Sequence, residues 1–140
     1  MMSAGIIPRR AAEEKAETKA VSCRAMYEAD VLEIRPHHLM CISCFHRGRT
    51  EPDLAPIAED NLYEAIAIMQ ANPEIPVKLI AGPCTICPPC SKYDPETNLC
   101  VGGRSMSLRD DKKDLDLLDL LGLSFGDVRP ARELLTMLYA

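Results

Sequence analysis

The segment 84–100 concentrates side chains that can bind metal, because it holds four cysteines within seventeen residues. These are Cys84, Cys87, Cys90 and Cys100, so a C-x2-C-x2-C run is followed by a gap of nine residues. Thiolates bind soft or borderline metal ions, and short Cys-x2-Cys loops let neighbouring sulfur atoms converge on one centre. The segment also contains three prolines and offers only Ile86 and Leu99 to a core. We therefore expect a bound metal, rather than burial, to order this segment.

A second set of donors lies upstream, in the run Arg-Pro-His-His-Leu-Met-Cys at 35–41. The proline at its start and a glycine after it predict a helix over 37–46. On that helix, His37 and Cys41 share a face at i and i+4, and His38 approaches Cys41 from i+3. The helix can therefore present both imidazole and thiol groups to a centre formed by the later cysteines.

Each of these residues also has an interpretation without metal. The late cysteines can stay reduced and unmetallated, and Cys41 can pack in the core as a small hydrophobic residue. His37 and His38 can cap or hydrogen-bond, bind a metal directly, or orient its ligands. Arg35 is either a solvated surface residue or a positive charge that offsets thiolates.

Composition limits the class of protein and its partners. The net charge of −5 and pI near 5.2 argue against binding to nucleic acid or to an anionic membrane. No apolar run approaches eighteen residues, and the N-terminal region lacks an apolar signal core, which predicts a cytoplasmic protein without membrane spans. In that compartment, seven cysteines indicate metal ligands or redox groups before disulfides, and the odd number also fits disulfides poorly.

Periodicity and turn signals predict a helix-rich α+β domain with two or three short strands and a cysteine-rich metal-binding loop. Residues 1–29 are rich in Ala, Glu and Lys without a strong apolar face, so we expect a disordered arm or frayed helix before a single domain at 30–140. The predicted elements of that domain are a strand at 31–35, helices at 37–46 and 50–71, strands at 75–81 and 99–101, and helices at 107–121 and from 127 onward.

The order and spacing of several motifs resemble a known family. These motifs are the 35–41 run, Asn-Pro-Glu-Ile-Pro-Val-Lys-Leu at 72–79, Gly-Pro at 82–83, Ile-Cys-Pro-Pro-Cys at 86–90 with a later cysteine, and Leu-Leu-Gly-Leu at 120–123. From about Leu32 to its end, the chain resembles the bacterial and archaeal family called domain of unknown function 1284. Members of that family have been suggested to bind iron–sulfur clusters.

The resemblance implies a particular set of ligands to a cluster, expected to be [4Fe–4S]: Cys41, Cys87, Cys90 and Cys100. Cys84 departs from the family pattern, in which an acidic residue is frequent at its position, and is an alternative fourth ligand. Cys44 is likewise an additional thiol. For His37 and His38, both alternatives stay open: a place beside the centre, where they would orient its ligands, or direct binding of the metal.

Three functions compete at this point. The first is an iron–sulfur protein in electron transfer, sensing or support of a larger enzyme, acting with a protein partner. The second is a structural zinc module that binds a protein partner. The third and weakest is a thiol redox protein using Cys87 and Cys90, because a reactive Cys-x2-Cys normally opens a helix, which the surrounding prolines do not favour. The sequence contains no acid–base pair or pocket signature, so we do not predict an enzyme.

Overall fold

The structure is a computed structural model that describes residues 12–46, 55–90, 92–100 and 108–138. Within these ranges it forms a small α+β domain, as the sequence predicts. The helices are α1 (Ala12–Glu28), α2 (Pro36–His46), α3 (Leu62–Ala71), α4 (Leu108–Leu121) and α5 (Ala131–Met137). The strands are β1 (Leu32–Ile34), β2 (Pro76–Leu79), β3 (Tyr93–Asp94), β4 (Leu99–Cys100) and β5 (Val128–Pro130).

The central sheet has the order β1-β2-β5. β1 lies parallel to β2, with Leu32 opposite Val77, and β5 lies antiparallel to β2 on its other side. Burial alternates along β1 and β2, as expected when successive side chains point to opposite faces of a sheet. Pro76 is the first residue of β2, a position at which a strand accepts proline.

The core joins this sheet to the helices. Its apolar side chains are aliphatic, as the scarcity of aromatic residues requires. The fully or almost fully buried members from the sheet and from α2, α3 and α5 are Leu32, Ile34, Val77, Leu79, Leu39, Ile42, Ala65, Ile66, Ala131 and Leu134. α2 is therefore fixed from several sides, which matters because it carries His37 and His38.

Residues 12–28 do not behave as the arm that the sequence suggested. They form one helix whose Met26 is buried in the core. Lys19 Nζ also lies 2.7 Å from a carboxylate oxygen of the buried Glu64 on α3. α1 packs on the domain through one methionine and several polar contacts rather than through a broad apolar stripe. Hydrophobic periodicity cannot detect a helix that packs in this way.

Two other element boundaries were predicted wrongly. The helix expected from residue 50 begins at Leu62, whose N–H donates to the side chain of Asp60, and residues 50–54 lie outside the described ranges. The last helix was expected from residue 127, but 128–130 form β5 because their backbone pairs with β2, and α5 begins at Ala131. By contrast, α4 ends at Leu121 as predicted, and Gly122 follows it with a φ of 69° that suits glycine.

Candidate metal centre

The thiol loop, residues 84–90 and 92–93, carries three successive backbone hydrogen bonds from residue i+3 to residue i, with a cysteine at the start of each. The N–H of Cys87 donates to the carbonyl of Cys84 at 3.0 Å, and the N–H of Cys90 to that of Cys87 at 2.8 Å. The N–H of Tyr93 then donates to the carbonyl of Cys90 at 3.0 Å. The Cys-x2-Cys spacing of the sequence is thus the i to i+3 spacing of a turn, which brings successive cysteines together.

The first of these turns is held by the domain itself. Thr85 donates from both its N–H, at 3.1 Å, and its Oγ1, at 2.9 Å, to the carbonyl of Glu33 in β1. The buried Asn61 donates its N–H to the carbonyl of Ile86 and its Nδ2 to that of Thr85, both at 3.0 Å. The side chain of Ile86 belongs to the core. The expectation that burial cannot order this segment is therefore wrong for its first turn.

Three donor atoms converge where this turn meets α2. His38 Nδ1 lies 3.1 Å from Cys84 Sγ. The nitrogen of His38 and the sulfur atoms of Cys84 and Cys87 all lie within 4.8 Å of one another. A tetrahedral zinc ion with ordinary bond lengths separates such donors by about 3.5–3.8 Å. These three residues could therefore hold one metal ion.

The environment favours the thiolate form of Cys84 and the neutral form of His38, but it keeps a proton on Cys87. Burial opposes ionisation of Cys84, but hydrogen bonds from the Cys87 side chain and from the backbone of Arg35 lower its pKa. The same bond to Cys84, together with burial, raises the pKa of Cys87. Burial also lowers the pKa of His38, which keeps its imidazole neutral. A metal ion would replace the proton held between the two sulfur atoms, since thiol ligands bind as thiolates.

The structure separates the two histidines that are adjacent in the sequence. His38 faces the thiols, whereas His37 Nδ1 lies 2.7 Å from Oδ1 of Asp114 on α4. The two rings still touch, with centroids 4.6 Å apart and planes at 63°. His38 thus supplies the nitrogen donor of the three-residue group, whereas the His37 ring lies between the His38 ring and Asp114.

The other predicted ligands do not belong to this group. Among the described residues, the compact group includes Cys84, the thiol that departs from the family pattern, but not Cys41, Cys90 or Cys100. A compact group is the arrangement for one ion, whereas a cubane binds each thiolate through a different iron and needs wider spacing. The four-cysteine ligand set implied by the resemblance therefore stays a prediction. The side chain of Cys44 lies outside the described part of the chain.

Those three thiols nevertheless occupy neighbouring elements. Cys41 follows His38 by one helical turn, and Cys90 follows Cys87 by one turn of the loop. Cys100 pairs with Tyr93 in the β3–β4 hairpin. Cys41 also lines, with His37, a cleft of about 480 Å³ between α2 and α4. All three cysteines are half-buried.

Asp114 is the residue of this region that the sequence did not reveal. It is fully buried, although it lies in a helix with four other aspartates. Its carboxylate accepts hydrogen bonds from Arg35, from the backbone of His37 and from the ring of His37. The only available signal was its position, one turn before the buried Leu117 and Leu118 on the apolar face of α4.

Comparison with protein-family models, with curated proteins and with solved structures gives no match. The resemblance to the family of unknown function thus stays a prediction. In the described residues, no helix is both long enough and apolar enough to cross a membrane.

Proposed function

We propose that this protein binds one divalent transition-metal ion, zinc in the first instance, through His38, Cys84 and Cys87. The convergence of one imidazole nitrogen and two sulfur atoms within 4.8 Å carries this proposal. Imidazole and thiolate are the donors that zinc prefers in proteins. The carboxylate and carbonyl oxygens that magnesium and calcium prefer are not part of the group.

Charge supports a divalent ion. Two thiolates and a neutral imidazole carry a total charge of −2, which a divalent ion cancels. Cys84 and Cys87 are only 6% and 9% exposed, and uncompensated charge is costly at such buried positions. With these three ligands the metal-bound centre would be neutral, and a fourth ligand that is a thiolate would give it a charge of −1.

The role that follows is structural. His38 and Cys84 are 46 residues apart in the chain, so a shared ion would fasten α2 to the thiol loop. Structural zinc sites have four ligands, and the fourth would come from Cys41 or Cys90, the thiols one turn from a ligand on each element. An ordered loop could then serve as a surface for a protein partner.

An iron–sulfur protein is the second candidate. It is favoured by the turns of the thiol loop, which continue at the same spacing from Cys87 to Cys90. The carbonyl of Cys90 then accepts a hydrogen bond from the N–H of Tyr93, and Tyr93 pairs with Cys100 in the β3–β4 hairpin. With Cys41 on the adjacent helix, the four thiols implied by the family resemblance could receive a [4Fe–4S] cluster. Such a centre would act in electron transfer, in sensing or in support of a larger enzyme.

One preparation separates the two candidates. The protein would be purified without oxygen, its visible spectrum recorded, and its zinc, iron and acid-labile sulfide measured. A colourless protein with one zinc ion per chain, lost on substitution of His38 or Cys84, supports the proposal. A brown protein with iron and sulfide, lost on substitution of Cys41, Cys90 or Cys100 but retained in His38→Asn, would replace it with the cluster. Cys23→Ser serves as the control, because Cys23 lies outside both ligand sets.

A further inference from the structure

We propose that Asp114 is a positioning residue of the metal centre, acting through Arg35 and His37 to hold the donors in a metal-binding arrangement. This inference rests on the proposed metal function. It extends the site from the loop and α2 to a third element, α4, whose sequence carries no recognisable ligand motif.

The carboxylate of Asp114 is fixed from several directions. Oδ2 accepts from Nε of Arg35 at 2.9 Å and lies 2.8 Å from Nη2, which makes a two-pronged ion pair. Oδ1 accepts from the backbone N–H of His37 at 2.9 Å and contacts its ring Nδ1 at 2.7 Å. Both side chains of the ion pair are only 1% exposed. The planar guanidinium and the satisfied carboxylate therefore have little freedom to move.

Arg35 connects its ion pair with Asp114 to the metal centre. Arg35 follows β1, whose Glu33 carbonyl holds Thr85 beside Cys84. Fixing Arg35 thus fixes the backbone on which the first turn of the loop rests.

The second route runs through the histidine rings. Asp114 holds the His37 ring, the His37 ring packs edge-on against that of His38, and His38 contacts Cys84. His37 cannot rotate without losing the bond to Asp114, so it supports the orientation of the neighbouring ring. Removing groups that orient metal ligands typically lowers metal affinity by about 10–100-fold.

The test compares Asp114→Asn with Asp116→Asn. Asp116 lies on the same helix and undergoes the same chemical change, but its carboxylate pairs with the exposed Lys112. Zinc affinity would be measured by competition with a chromophoric chelator. The site would also be loaded with Co²⁺, whose absorption bands report ligand geometry. We expect Asp114→Asn to lower zinc affinity by about 10–100-fold and to change the Co²⁺ spectrum, and Asp116→Asn to do neither.

A folded Asp114→Asn protein with the parent's zinc affinity and Co²⁺ spectrum would overturn the inference. If this variant does not fold, His37→Ala decides the question, since it removes one route and leaves the Arg35–Asp114 pair in place. Weaker binding with an altered spectrum then supports the inference, and parental values overturn it. Failure of the unaltered protein to bind zinc or Co²⁺ would instead reject the metal function itself.

Discussion

His38 Nδ1 and Cys84 Sγ lie 3.1 Å apart although 46 residues separate them in the chain. The contact joins α2, which follows β1, to the thiol loop, which follows β2. Because β1 and β2 are parallel neighbours, the segments that leave their carboxyl ends emerge at the same edge of the sheet. The pairing of two short strands thus creates the candidate metal centre.

Substitution of either partner in this contact should impair metal binding. We expect His38→Asn and Cys84→Ser each to reduce zinc affinity by more than the roughly 100-fold that loss of an orienting group can cause. Isothermal titration at neutral pH would measure the effect. Cys23→Ser provides the matched control for the thiol substitution and should bind zinc normally. Unaltered affinity in both site variants would place the metal elsewhere.

Asn61 should stabilise the protein whether or not metal is bound. Its buried side chain donates to Ser22 Oγ at 2.9 Å and to the Thr85 carbonyl at 3.0 Å, so it connects α1 with the thiol loop. Asn61→Ala leaves these buried groups without a donor, and we expect unfolding to become about 1–3 kcal/mol easier. Urea unfolding with and without a chelator would measure this change. The exposed Asn72, substituted in the same way, should have a much smaller effect.

Acid should weaken the protein through Asp114. Although burial opposes ionisation, hydrogen bonds from His37 and Arg35 lower the pKa of this carboxyl below its ordinary value. A lowered folded-state pKa adds stability that is complete above the unfolded pKa of about 3.9 and disappears as the pH falls through the folded value.

The stability difference between the parent and Asp114→Asn measures this contribution. At neutral pH we expect it to be up to about 3–5 kcal/mol, because the substitution removes the buried counter-charge of Arg35 and leaves the exposed Asp111 as its carboxylate partner. It should narrow as the pH is lowered below about 4, where the parent also loses the charged carboxylate. Urea unfolding of metal-free protein across this range would reveal the trend. A difference that stays constant with pH would contradict the assignment. Asp116→Asn, the same chemical change at an exposed position of α4, serves as the comparison variant.

Metal removal should loosen the thiol loop unevenly. The amides of Thr85 and Asn61 bond to Glu33 and Ile86 respectively, which ties the first turn to the domain. The amides of Cys90 and Tyr93 bond to carbonyls within the loop. On chelation we expect hydrogen exchange to accelerate at Cys90 and Tyr93 while Thr85 and Asn61 remain protected. Equal protection of all four amides before and after chelation would show that metal does not order the loop.

Local features of the sequence were sufficient to predict much of the fold. Apolar periodicity predicted α4 and the second half of the long helix now seen as α3, and the predicted strands at 31–35 and 75–81 contain β1 and β2. The prolines and glycines predicted where several elements end. These signals are short-range, because they follow from backbone geometry and from which face of one element must be buried. β5 escaped prediction because its strand conformation depends on backbone pairing with β2.

The candidate metal site, like the fold, has a part that the sequence predicted and a part that it did not. The residue types and the Cys-x2-Cys spacing indicated, from the sequence alone, that the late loop and α2 carry candidate metal ligands. Only the tertiary structure decided that His38 rather than His37 faces the thiols, that Cys84 joins Cys87, and that Asp114 lies behind them. Adjacent residues on a helix point about 100° apart, so the packing of α2 between the loop and α4 assigns each histidine a different partner. Such contacts, across 46 and 77 residues, leave no periodic trace in the chain.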